Sequence, residues 1–206
     1  MSDFTYQYDH RKTPLETYEW DNVWWEHTEN TSAPRILYIG DSISCATRKA
    51  INQQGEGHIL CDGFGTSKAV DNPFLADSIR LFAKQQGKRS VILFNNGLHG
   101  FHLADKEYAE GYERMVTLLQ TEFPETPLIL LLSTHVAKNE QDERVKSRNR
   151  AVLAIAERHG LHAIDLYETS LAHADLLSPD GVHFTPDGYA VFAKRILGFL
   201  KQEGLI

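Results

Sequence analysis

A rhythm restricts this chain more than any other feature. Short, continuously apolar runs alternate with longer stretches in which apolar residues recur every three or four positions. The runs Ile36 to Ile39, His58 to Cys61, Val91 to Phe94, Leu128 to Leu132 and His162 to Ile164 predict strands. Helical patterns lie between and after them at Cys45 to Asn52, Ala76 to Gln86, Lys106 to Glu122, Asp142 to His159 and Asp187 to Gln202. Tyr108, Tyr112, Met115 and Leu119 mark the buried face of one of these helices. Because the strand runs, past the histidines that open two of them, are continuously apolar rather than alternating, each strand is expected to be covered on both faces, which calls for a parallel sheet between two helix layers. The expectation is an α/β fold, a three-layer α/β/α sandwich with a parallel five-stranded sheet. In such sheets ligands bind beyond the carboxyl ends of the strands.

At 206 residues and 42% hydrophobic content, the chain has room for one full core and not for two. No repeat or Pro/Gly-rich linker divides it. The first 34 residues differ in character: Tyr18, Trp20, Trp24 and Trp25 crowd a polar stretch that ends at Pro34. The division expected is an aromatic-rich N-terminal arm over residues 1–34 and one domain over 35–206. A net charge of -7 with scattered Lys and Arg offers no stripe for a phosphate backbone, so nucleic acid is not an expected partner. Met1-Ser2-Asp3-Phe4 opens without a cationic or apolar leader, and no run approaches the ~18 apolar residues of a membrane span. A cytoplasmic protein with no membrane association is expected, with Cys45 and Cys61 as unpaired thiols.

Two short motifs carry the chemistry. Gly40-Asp41-Ser42 follows directly on the first strand, and Asp180-Gly181-Val182-His183 lies far downstream. A serine hydroxyl becomes a useful nucleophile when an imidazole takes its proton, and the imidazole works best when a carboxylate fixes its tautomer. Asp180 and His183, three residues apart, can do both from one loop. Ser42 also stands near a helix N-terminus, where free N–H groups favour developing negative charge. Asp41 is better suited to capping that helix than to catalysis.

With these residues in place, the chain from Arg35 onward resembles the SGNH hydrolases, also called the GDSL esterase and lipase family. Ile39-Gly40-Asp41-Ser42 matches the family's first block, and Asp180-Gly181-Val182-His183, followed by Phe184-Thr185-Pro186-Asp187-Gly188-Tyr189, matches its last. The resemblance implies a flavodoxin-like α/β/α fold with Ser42 as nucleophile, His183 as base and Asp180 as orienting acid. It further implies an oxyanion hole built from the Ser42 N–H, a glycine after the second strand and a third-block side chain. Gly65 is the choice for that glycine, with Gly63 competing. The third block departs from the usual Gly-x-Asn-Asp and reads Phe94-Asn95-Asn96-Gly97-Leu98-His99-Gly100, a form carried by one branch of the family. Asn95 is the choice for the third donor, with His99 second.

Other residues receive structural expectations. His99 and His102 form the nearest histidine pair, yet neither cysteine adjoins them, so no metal is expected. His135 should line the same cleft in a structural role, and Asp165 should cap a helix, standing in reserve as orienting acid. No cofactor is called for. The expected partner is a small-molecule or carbohydrate ester, most simply an acetate, because nothing between the strands is long or apolar enough for a lipase lid. Trp20, Trp24 and Trp25 could stack on a sugar, or anchor the arm on the core or on a second copy in a homo-oligomer. The competing functions are a thioesterase or lysophospholipase on the same fold, and a non-catalytic acyl- or sugar-binding protein.

Overall fold

The computed structural model describes residues 19–206, so Tyr18 and the rest of residues 1–18 lie outside the described residues. The strands are β1 (Asp21–Trp24), β2 (Arg35–Gly40), β3 (Leu60–Thr66), β4 (Val91–Phe94), β5 (Leu128–Leu131) and β6 (His162–Ile164). They form one sheet in the order β1-β3-β2-β4-β5-β6, parallel throughout except for β1. The helices are α1 (Ser42–Gly55), α2 (Leu75–Gln86), α3 (Asp105–Glu122), α4 (Asn139–His159), α5 (Leu166–Leu171) and α6 (Pro186–Gln202). A 3₁₀ turn spans Ala174–Leu176.

Strand residues alternate between two cores, as the apolar runs require. Ile36, Tyr38, Val91, Leu93, Ile129 and Leu131 pack with α1 and α6, whereas Leu37, Ile39, Ile92, Phe94 and Leu130 pack with α2, α3 and α4. The chain leaves β2 for β3 on one side and returns across it to β4 on the other. With right-handed crossovers, that reversal puts α1 on one face and α2 to α4 on the opposite one. It also opens a crevice at the carboxyl end of β2, the point at which such sheets bind ligands.

Among the described residues the sheet has six strands rather than the five expected, because residues 21–24 of the aromatic arm form an antiparallel edge strand. All four β1 residues are exposed, so no alternating apolar pattern announces the strand; backbone pairing to β3 defines it. The tryptophans of the arm divide their roles. Trp25 stacks on Phe82 with ring centroids 4.2 Å apart and planes 4° from parallel, which docks the arm on the core. Trp24 lies under the Arg48 guanidinium at 4.9 Å and stays half exposed.

A second difference concerns β3, expected to end at Cys61 but running on to Thr66. Asp62-Gly63-Phe64-Gly65-Thr66 looks like turn chemistry, yet each polar or small residue has a packing reason to be in the strand. Asp62 is fully buried and accepts hydrogen bonds from Arg35 at 2.9 Å, Gln86 at 2.8 Å and the Glu26 N–H at 2.8 Å. The glycines let α1 press on the sheet: a Cβ on Gly63 would sit 2.4 Å from Arg48 Cδ, and one on Gly65 would sit 2.3 Å from Cys45 Sγ. Gly65→Ala should therefore cost about 1–3 kcal/mol through overpacking. In urea unfolding, Cys45→Ala added to that variant should recover part of the loss, whereas no recovery would refute the contact.

Candidate active site

Helix α1 begins at Ser42, earlier than the expected Cys45, so the serine occupies the first helical position rather than the approach to it. Asp41 caps the helix, its Oδ1 accepting from the Ile43 N–H at 3.0 Å, while Ser44 Oγ donates to the Asp41 carbonyl at 2.6 Å. These bonds fix the turn between β2 and α1. The Ser42 N–H, at the first position of the helix, has no carbonyl of its own helix to bond and lies at the positive end of the dipole.

The opposite end of the chain brings the base. Asp180 Oδ1 accepts from the backbone N–H groups of Val182 and His183, both at 2.9 Å, and its Oδ2 lies 2.8 Å from His183 Nδ1. Those two backbone donors first, and then the imidazole, hold the Asp180 carboxyl down at about 2. A carboxylate only accepts, so Nδ1 carries the proton and Nε2 of a neutral His183 must be the acceptor. Ser42 Oγ donates to that Nε2 at 2.8 Å. Asp180, His183 and Ser42 thus form one unbroken hydrogen-bonded chain, open to solvent at its acid end, where the Asp180 side chain is 52% exposed.

The loop carrying Asp180 is itself supported. Gly181 adopts φ +75°, a left-handed conformation suited to glycine, and its carbonyl accepts from the Ala137 N–H at 2.8 Å. Ala137 belongs to the loop after β5, which Asp142 of α4 secures. Burial alone would raise the Asp142 carboxyl, but bonds from Tyr167 Oη, the Val136 N–H, His135 and Lys146 outweigh it and hold the group below its usual range. His135 Nδ1 donates to Asp142 Oδ1 at 2.8 Å and Tyr167 Oη to Oδ2 at 2.7 Å. His135 is accordingly a supporting residue of the loop beside the site. Asp165 caps α5, accepting from the Glu168 N–H at 2.9 Å.

Two of the oxyanion candidates have their N–H groups directed otherwise than expected. Gly65 lies inside β3, not beyond it. The Leu60 N–H donates to the Pro34 carbonyl on the β2 side and the Ser67 N–H to the Trp20 carbonyl on the β1 side. Ladder alternation therefore turns the Gly65 N–H toward Asn22 of β1 and away from Ser42. Gly63 faces β1 in the same way. Asn95 is buried, and its amide donates to the Leu131 carbonyl at 2.8 Å and to Ser133 Oγ at 3.1 Å, which uses both N–H groups to tie the loop after β4 to that after β5.

His99 sits further along the same loop. Arg148, almost fully buried in α4, donates to the carbonyls of Gly97, His99 and Gly100 at 2.8, 2.7 and 2.6 Å, and Phe101 and Tyr108 flank its guanidinium. Nothing in the sequence pattern marked Arg148 as the clamp of the third block. Gly97 has a plain reason to be glycine, since a Cβ there would lie 1.6 Å from Ser133 Oγ. The two histidines of the expected pair part company: His102 Nε2 contacts Asp71 Oδ2 at 2.9 Å, while the His99 ring meets Trp20. Among the described residues, no three His, Cys, Asp or Glu side chains gather to hold a metal ion, and both cysteines are free thiols.

Comparison with known proteins decides the family. The profile of the GDSL-like lipase/acylhydrolase family matches residues 38–191, from within β2 to within α6. The chain belongs to this family. It is thereby a GDSL-type carboxylic ester hydrolase by membership. A comparison with curated proteins finds no match. Among solved structures, a lipolytic G-D-S-L family protein from Veillonella parvula superposes with a TM-score of 0.67 at 19% identity, over 82% of this chain and 100% of that one. An acetyl xylan esterase, AlAXEase, gives 0.66 at 17% identity over 81% and 99%. The catalytic domain of Streptococcus pneumoniae peptidoglycan O-acetyltransferase A gives 0.65 at 16% over 82% and 94%. At these identities the likeness is one of fold.

The electrostatics of Asp180 generate a test. A carboxyl depressed from 3.8 to about 2 keeps its charge, and its hold on His183, at every pH above that value and loses them as pH falls through it. Carboxyl titration followed by NMR should show this midpoint near 2. Because the backbone donors outrank the imidazole, His183→Ala should raise it only part of the way to the ordinary value. A wild-type midpoint near 3.8 would contradict the geometry.

Proposed function

We propose that the protein is a serine esterase that removes short acyl groups, chiefly acetyl, from carbohydrate or small-molecule esters through an acyl-enzyme. The observation that carries this reading is the continuous Asp180–His183–Ser42 chain with the serine at the N-terminus of α1. Ser42 Oγ attacks the ester carbonyl carbon as its proton passes to His183 Nε2. The carbonyl oxygen becomes an oxyanion, and Asp180 stabilises the imidazolium. Collapse breaks the bond to the alkoxy oxygen, which leaves as the alcohol with the proton from His183. Water, deprotonated by His183, then attacks the acyl carbon and releases the carboxylic acid and Ser42.

For the oxyanion, the Ser42 N–H is the first donor. The third-block role is assigned to His99, the other candidate of that loop, on the position of its ring against Trp20 at the carboxyl end of the sheet. His99→Ala should lower kcat by roughly 10²–10³-fold, the usual cost of one oxyanion donor. Asn95→Asp should instead act mainly on stability, through the lost N–H donation to the Leu131 carbonyl. Equal kcat losses in chemical denaturant-matched samples of both variants would argue against this assignment.

Preference for a short acyl group is supported by the openness of the site and by the short connections around it. His183 is 41% exposed, and the loops that border it from β3, β4 and β5 contain no apolar helix to cover an alkyl chain. The decisive experiment is hydrolysis of p-nitrophenyl esters from C2 to C12, run beside labelling with a fluorophosphonate. Acetate should be the best substrate, and labelling should vanish in Ser42→Ala and persist in Ser44→Ala. Faster turnover of long chains would favour the thioesterase or lysophospholipase reading, and an unlabelled wild type would favour a binding protein.

A further inference from the structure

Of the three tryptophans, Trp25 is spent on the core and Trp24 on Arg48, which leaves the placement of Trp20 to be explained. Its backbone is fixed: the Trp20 N–H donates to Ser67 Oγ at 2.8 Å, and its carbonyl accepts from the Ser67 N–H at 3.1 Å and Thr66 Oγ1 at 3.3 Å. Trp20 therefore stands at the carboxyl end of β3. His99 comes from the loop after β4, and β2 runs between those two strands. The two rings nevertheless meet, with centroids 6.1 Å apart and planes at 74°. The pair consequently bridges the carboxyl end of β2, the end from which Ser42 emerges. A second tie crosses at the same level, from Asn96 Nδ2 to the Lys68 carbonyl at 2.8 Å.

Trp20 keeps part of its surface open to solvent. Polar pairs continue along the same rim: Asp21 with Lys68 at 2.6 Å, Asp71 with His102 at 2.9 Å, and Glu19 with Asn72 at 2.9 Å. Asp21 also accepts from Thr66 Oγ1 at 2.6 Å, and each carboxylate there keeps acceptor capacity beyond the bonds it makes. A broad aromatic surface bordered by carboxylates and amides suits a ligand with an apolar C–H face and a hydroxyl edge. A pyranose ring has that shape; an alkyl chain lacks the edge.

We propose that Trp20 and His99 form one wall of a subsite for the pyranose ring of an O-acetylated sugar, with Trp20 setting the preference for ring-bearing acceptors. The inference rests on the serine-esterase reading for its acetyl group but not for the ring contact. The test compares kcat/KM for an O-acetylated methyl xyloside with that for vinyl acetate, which carries no ring. Trp20→Ala should lower the xyloside-to-vinyl ratio about tenfold, the scale of one lost aromatic contact. Trp24→Ala, on the same arm, should leave the ratio where it is. Thermal unfolding checks that each variant folds, and Trp20→Phe, intermediate in ratio, replaces Trp20→Ala if the latter does not. Calorimetric binding of the xyloside to Ser42→Ala, with and without Trp20→Ala, reads the subsite independently of turnover. Binding that needs Trp20 in a chain whose wild type hydrolyses neither acetate would keep the subsite and remove the esterase. An unchanged ratio, with binding indifferent to Trp20, would overturn the subsite while leaving the esterase intact.

Discussion

One 2.8 Å hydrogen bond, from Ser42 Oγ to His183 Nε2, joins side chains 141 positions apart in sequence, and the rest of the structure exists to make that distance reproducible. Neither partner holds itself in place. Ser42 is aimed by the β2–α1 turn, which Asp41 caps, and β2 is central in a sheet whose two faces are both buried. His183 is aimed by Asp180, whose other oxygen grips the backbone of the same loop. The loop is then tied through Gly181 to Ala137, and so to the Asp142 cluster on α4. A short polar contact at the surface thus rests on buried charge and close packing several residues away.

This arrangement separates chemistry from support. The groups proposed to react are solvent-accessible, as substrates require. The groups that fix them, Asp142, Arg148 and Asn95, are buried and hydrogen-bonded to the backbone or side chains of the loops beside the site. Arg148 is the sharpest case, because a buried guanidinium would be costly unless bonded, and it gathers three carbonyls of one irregular loop. The carboxyl edge of the sheet can therefore carry irregular loops without leaving their orientation to chance.

Much of this was legible in the sequence. The apolar runs announced the parallel strands, because burial on both faces leaves few polar positions, and Ser42, Asp180 and His183 stood out because their chemistry depends on residue type and spacing. What the sequence hid was whatever depends on contacts without a local pattern. β1 has four exposed residues and exists through its ladder to β3. The end of β3 was obscured because Gly63 and Gly65 look like turn residues, whereas they are cleared space for Arg48 and Cys45. Asn95 offered an amide at the right station, but its two hydrogens turned out to be committed to Leu131 and Ser133. Hydrogen-bond commitments of that kind are set by tertiary neighbours and cannot be counted along a chain.

The claim that Ser42 is made reactive by His183 at the mouth of α1 is most directly tested by a crystal structure of the protein after reaction with a phosphonate ester. The account predicts a covalent bond from phosphorus to Ser42 Oγ, a phosphonyl oxygen directed at the Ser42 N–H, and His183 Nε2 within hydrogen-bonding distance of an adduct oxygen. An adduct on any other side chain, or one on Ser42 with His183 turned away and the phosphonyl oxygen in bulk solvent, would contradict it.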